Sequence, residues 1–188
     1  MKYLTILFTL VTITLYSQPD YSASSQYPFG QLNPDAPKKL SDFKELIGLC
    51  DCKSQSRNQD GTWAKEISMT WTFKYIMNGM GIQDETIKED GKHSGSIRQF
   101  DIKNNHWKVY YYSTTSNPKT LPVWTGNRDL NKIVLYRDQK SPNGMDGFYR
   151  LTFSNISNNG YDWIGEWVDK DEKIIYPTWK IACKKRSL

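Results

Sequence analysis

Large apolar and aromatic residues alternate with a mostly polar set between positions 69 and 77. Met69, Trp71, Phe73, Tyr75 and Met77 form one set, and Thr70, Thr72, Lys74 and Ile76 sit between them. A period of two marks a strand with one buried and one wet face. Asn78-Gly79 follows at once, and that dipeptide tolerates the positive φ angles of a type I′ hairpin turn. The same unit recurs along the chain. Strands are predicted over residues 49–57, 69–77, 82–89, 94–103, 106–115, 121–126, 132–139, 148–156, 161–168 and 173–183, with 121–126 short enough to be an edge. Asp60-Gly61, Asp90-Gly91, Asn104-Asn105, Asn117-Pro118, the loop 141–147 and Asn158-Asn159-Gly160 separate them. A short helix is predicted over 40–47, with Leu40, Phe43, Leu46 and Ile47 on its apolar face. Ser41 or Asp42 would cap its start, and Gly48 would take the left-handed position at its end.

No long helical pattern interrupts the strands. Short turns favour antiparallel pairing of consecutive strands, and closing the meander removes its exposed edges. The expected fold is all-β: a closed antiparallel up-and-down barrel of about ten strands with a short N-terminal helix. A barrel of eight or more strands has room for a small ligand.

The ends of the chain change the picture of charge and compartment. Residues 1–17 have Lys2 ahead of an apolar run and Ser17 at a plausible cleavage point. The run is shorter than the roughly 20 residues of a membrane span, so it reads as a signal peptide of a secreted or periplasmic protein. The mature protein would then have no transmembrane segment. Residues 18–39 are rich in Ser, Tyr, Pro, Asn and Gln without periodicity, and read as a disordered or loosely docked lead-in. Residues 40–184 form one domain, and 185–188 complete a basic tail that starts at Lys184. The formal charge is +5. Removing Lys2, Lys184, Lys185 and Arg186 leaves about +1 on the body, without the clustered basic patch that nucleic-acid binding needs.

Three cysteines, Cys50, Cys52 and Cys183, suit an oxidising compartment. The first two share a face of the first strand, and Cys183 lies on the last. In a closed barrel those strands are neighbours, so one disulfide at the seam is expected. Cys52–Cys183 is preferred over Cys50–Cys183, with one thiol left over. C-x-C without further Cys or His partners is a poor metal signature. His93 and His106 lie beside turns and read as exposed. No metal site and no cofactor is expected.

Several motifs in order resemble a known family. A helix ends in the glycine that opens the first strand. D-G-T-W (60–63), W-x-F-x-Y running into N-G-M, and Gln83-Asp84 follow. Then come G-S-I-R-x-F-D (95–101), a strand opening near Trp107, F-Y-R-L-T-F-S-N-I (148–156) and W-x-G-E-W (163–167). The stretch 40–184 is similar to the secreted bacterial lipocalin-like (calycin-like) β-barrel domains, most of which have no assigned function. One feature departs from lipocalins, which open with Gly-x-Trp. Here Gly48-Leu49 leads to Cys50, so lipocalin ligands are not carried over.

The resemblance and the alternation together place Asp84, Arg98, Arg150 and Glu166 in the inward set. Two guanidiniums and two carboxylates inside a barrel suit a polar head group; they could equally form an ion-pair cluster that satisfies itself, or simply point to solvent. Trp71, Phe73 and Tyr75 would supply apolar walls. The leading expectation is a binding module for a small amphipathic or hydrophobic ligand, with Arg98 and Arg150 holding an acidic head. One alternative is an isomerase or hydrolase using Asp84 and Glu166 as an acid/base pair. The other is a surface interaction module whose barrel is filled by side chains. Haem binding would call for a histidine on a late strand, and none follows His106.

Overall fold

The structure, a computed structural model, describes residues 19–187. The segment read as a signal peptide lies outside the described residues. Ten strands follow one another: β1 (Gly48–Ser56), β2 (Ile67–Ile76), β3 (Gly81–Lys88), β4 (Ser94–Asp101), β5 (His106–Ser113), β6 (Val123–Asp129), β7 (Lys132–Asp138), β8 (Gly147–Ser157), β9 (Gly160–Asp169) and β10 (Ile175–Lys185). Each pairs antiparallel with its neighbours in sequence, and β1 pairs with β10, so the barrel is closed. The stretch expected as a short edge, now β6, is hydrogen-bonded on both sides. Closure leaves no edge to expose.

Alternation sets the two faces. Met69, Trp71, Phe73 and Tyr75 of β2 are buried inside. Thr70, Thr72 and Lys74 point out, as do Asp51 and Lys53 of β1. Apolar-in and polar-out is the reverse of a lipid-embedded barrel. Among the described residues no helix is long and apolar enough to cross a membrane. The three consecutive tyrosines of β5 split in the same way. Tyr111 packs on Trp124 inside, with ring centroids 6.0 Å apart, while Tyr112 accepts a hydrogen bond from Gln83 outside.

Two local expectations need correction. The helix is a 3-10 helix over Lys38–Leu46, and it follows the lead-in rather than standing at the N-terminus. Pro37 precedes it without a side-chain cap. Proline fixes φ ahead of the first turn and so sets the start. The two residues expected to cap it are engaged otherwise. Ser41 donates back to the Lys38 carbonyl, and Asp42 accepts the Trp107 indole N–H at 3.1 Å. The turn after β2 is not a two-residue loop. Ile76 pairs with Gly81, which leaves four residues between them, and Met77, Asn78 and Gly79 all have positive φ. Asn78 and Gly79 serve another purpose too. The lead-in lies against this turn: Tyr21 N–H donates to the Asn78 side chain at 2.7 Å, and Asn33 N–H to the Gly79 carbonyl at 3.3 Å.

The disulfide joins Cys52 to Cys183, which face each other across the β1–β10 seam. Cys50 remains a free, buried thiol. Lys184 and Lys185 lie within β10, and Arg186 pairs with Asp51 at 2.6 Å.

The β6–β7 turn holds a testable strain. Leu130 has φ 49° and is 87% exposed. A left-handed conformation costs an L-residue about 1–2 kcal/mol, less for asparagine. Leu130→Asn should therefore raise stability by up to about 1 kcal/mol, seen as a higher midpoint in urea unfolding. An unchanged or lower midpoint would count against strain at this turn.

Candidate functional site

The barrel interior is layered, and the two ends differ. One end is plugged. Leu40, Phe43 and Leu46 of the 3-10 helix are fully buried there. Phe43 packs edge-on against Trp107, with ring centroids 4.8 Å apart. Arg128 of β6 pins the helix from the side, through Glu45 at 2.7 Å and the Asp42 carbonyl at 2.6 Å. Tyr75 belongs to this end as well, and its backbone N–H donates to Phe29 of the lead-in at 2.8 Å.

Above the plug sits a buried ion pair. Arg98 of β4 donates through Nη1 to the Asp84 carboxylate on β3. Its guanidinium lies 4.7 Å from the Phe73 ring centroid, 5.2 Å from Phe43 and 5.9 Å from Phe153. Asp84 accepts two further hydrogen bonds, from Trp71 Nε1 at 2.7 Å and from Ser96 Oγ. Three donors converge on one carboxylate, so the pair is closed on itself. Arg98 Nε is buried with no partner among the described residues. Beside this layer, Tyr161 is fully buried. Burial, with Cys50 and Asp84 nearby, pushes its phenol well above the ordinary range. Burial also pushes the Cys50 thiol up, so neither group is poised as a nucleophile.

The next layer is a cavity of about 50 Å³. Trp71, Asp84, Ser96 and Arg98 form its floor, and Thr86, Ser94, Tyr111, Trp124, Trp163 and Trp179 are among its walls. It has room for a water molecule or one small substituent, not for a ligand body.

The other end is open. A cleft of about 430 Å³ is lined by Ser54, Ser56, Ile67, Lys88, Tyr111, Ser113 and Trp179 from the strands, and by Lys65, Asp90, Lys92, His93 and Thr115 from the loops. Tyr111 and Trp179 border both spaces. Trp179 Nε1 donates to Ser54 Oγ at 2.8 Å, which sets the indole across the opening. Thr86 and Ser94 hydroxyls bond to each other at 2.7 Å just below.

The structure thus divides the seven residues expected in a site. Asp84, Arg98 and Trp71 meet at the cavity floor. Phe73 and Tyr75 face inward but belong to the plugged end. Arg150 and Glu166 do not face inward at all. They pair across β8 and β9, out of phase with Leu151, Phe153 and Trp163, which line the cavity. Arg150 donates to Glu166 from Nη2 at 2.8 Å and Nε at 3.1 Å, and from Nη1 to Glu172. Tyr136 donates to the same Glu172 at 2.8 Å. This group ties the β9–β10 turn to the outside of the wall. Arg150 therefore cannot hold a head group inside the barrel. Asp84 and Glu166 lie on opposite faces of the wall, so they cannot flank one substrate as an acid/base pair.

Sequence reasoning missed the residues of the mouth. The signal was the same alternation, carried further. Lys88 follows Ile82, Asp84 and Thr86, Ser54 and Ser56 follow Cys50 and Cys52, and Ser113 follows Trp107, Val109 and Tyr111. Trp179 stands in the same phase as Ile181 and Cys183, and the register slip of β10 falls just before it, between Pro177 and Trp179. The two histidines are only half-exposed. His93 accepts the Lys88 backbone N–H on Nδ1 at 3.1 Å and lines the mouth, whereas His106 lies 4.0 Å from Asp101 beside the β4–β5 turn. Among the described residues no three His, Cys, Asp or Glu side chains gather where they would hold a metal ion. No protein-family model matches the chain, and a search of curated proteins finds no match either.

Proposed function

We propose that this chain is a secreted or periplasmic small-molecule-binding barrel of the lipocalin-like kind, and that it takes its ligand at the open mouth. The observation that supports this reading is the difference between the two ends: one is plugged by the 3-10 helix, and the other opens as a cleft of about 430 Å³. Concave, partly apolar spaces of this size with a few converging polar groups are where small ligands bind. Tyr111, Trp179 and Ile67 offer apolar contact, and Ser54, Ser56 and Ser113 offer hydroxyls. The ligand body stays in the mouth, because the cavity beneath holds about 50 Å³. The disulfide at the seam fits an oxidising compartment.

Native mass spectrometry of protein from its own host, before and after denaturation, tests this. The expected result is a small mass lost on unfolding and absent from the variant Ser113→Trp, which fills the mouth. A ligand mass carried equally by Ser113→Trp would place binding elsewhere.

A second reading is a surface interaction module. Its support is that most of the barrel is filled by side chains and that an apolar groove lies outside, formed by Pro142, Met145, Trp167, Ile174 and Tyr176. A host-purified protein that releases no ligand, and whose mouth stays empty in a titration with small amphipathic compounds, would favour it.

A further inference from the structure

We infer that the mouth selects small organic anions with a ring-sized apolar body, and that the Lys88 ammonium receives the negative charge. This inference rests on the mouth being the binding site. The charges around the opening carry it. Lys65, Lys88, Lys92 and His93 line the cleft against one carboxylate, Asp90. That carboxylate is already engaged. It lies 3.4 Å from Lys92 Nζ and accepts the Lys92 backbone N–H at 3.1 Å. Lys88 is placed differently from the other two lysines. It projects inward from the end of β3, in phase with Ile82, Asp84 and Thr86. Its Nζ lies 4.0 Å from the Trp179 ring centroid, and no carboxylate lies within ion-pairing distance among the described residues.

A half-buried ammonium held only by a ring face has lost water without gaining an anion. Burial, the largest influence, holds its pKa below the ordinary lysine value, and nearby Asp90 offsets this only in part. An anion arriving in the mouth supplies the missing partner. The surrounding groups fit the rest of such a ligand. Ser54 Oγ accepts from Trp179, so its own hydrogen is free to donate to an oxyanion. Tyr111 and Trp179 provide aromatic surface for a ring. Arg98 cannot compete for the charge, because Asp84 already neutralises it. A cationic ligand would meet an unpaired ammonium in a partly desolvated cleft, which is strongly unfavourable.

The test uses 2-naphthoate, 2-naphthamide and 2-naphthylmethylamine as matched probes. Binding is followed by the indole N–H signal of Trp179 in protein labelled with ¹⁵N-tryptophan, the signal being assigned with Trp179→Phe. Naphthoate should bind about tenfold more tightly than the amide, as one charge-assisted contact implies, and the amine should bind weakest. Lys88→Gln should bring acid and amide to equal affinity without weakening the amide, and Lys88→Arg should keep the preference. Equal binding of acid and amide to the unsubstituted protein would overturn the inference, as would a preference that survives Lys88→Gln. If the amide binds and Ser113→Trp blocks it, the mouth reading stands even where the anion preference fails. If neither compound moves the Trp179 signal at millimolar concentration, the mouth reading and the inference both fall.

Discussion

Asp84→Ala is expected to destabilise the barrel by about 3–5 kcal/mol, the range found when one member of a buried ion pair is removed. The cost comes from what is left behind. Arg98 would keep its charge among Phe43, Phe73 and Phe153 with no counter-ion. The Trp71 indole N–H and the Ser96 hydroxyl would lose their acceptor at the same time, and each buried polar group left unpaired costs about 1–3 kcal/mol. The aromatic rings recover only a part, about 2 kcal/mol where the cation is desolvated. Removing both charges is a different matter. Asp84→Leu combined with Arg98→Met leaves no stranded charge and should destabilise less than Asp84→Ala, although the Trp71 N–H and the Ser96 hydroxyl still lose their acceptor. Urea unfolding of the parent, Asp84→Ala and Asp84→Leu/Arg98→Met measures both effects. A loss under 1 kcal/mol in Asp84→Ala would mean that water reaches the pair, and the account of a sealed floor would fail.

Opening the Cys52–Cys183 bridge should cost about as much. The two cysteines are 131 residues apart, so the bridge closes nearly the whole barrel into one loop. The chain-entropy model gives about 4–5 kcal/mol for a loop of that length, with about 2–5 found on removing native bridges from small secreted domains. The bridge also clamps β1 to β10, the one pair of neighbouring strands that no hairpin turn joins. Denaturant midpoints with and without dithiothreitol, and for Cys52→Ala/Cys183→Ala, should fall together. Cys50→Ala is the control and should not mimic them, since Cys50 takes no part in the bridge. Reduction that leaves the midpoint unchanged would show that β1–β10 pairing holds the seam unaided.

The strands were legible because each is a short alternating run closed by a turn signal. About ten were expected and ten form among the described residues, most of them within two residues of the expected ends. The bridge was legible for a topological reason: only closure makes the first and last strands neighbours. The direction of the side chains on β8 and β9 was not legible. In F-Y-R-L-T-F both phases carry apolar residues: Phe148 stands with Arg150 and Thr152, and Tyr149 with Leu151 and Phe153. The same holds for Trp163, Gly165 and Trp167 against Ile164, Glu166 and Val168. A one-residue shift of phase moves a whole set through the wall, and here it carried Arg150 and Glu166 outside.

Local pattern, then, determined the strands, their antiparallel pairing and the expectation of a closed barrel with a bridge across its seam. These follow from nearest-neighbour rules: side-chain period, turn chemistry and the avoidance of open edges. The register of β1 against β10 decided that Cys52 and not Cys50 faces Cys183. Tertiary structure alone decided which end the helix plugs, which charges neutralise each other, and which remain free. Those depend on packing between residues far apart in the chain. Phe43 covers Arg98, Asp84 draws in Trp71 and Ser96, and Trp179 is brought under Lys88. No local pattern encodes such meetings, and it is they that leave Lys88 as the unpaired charge in the open mouth.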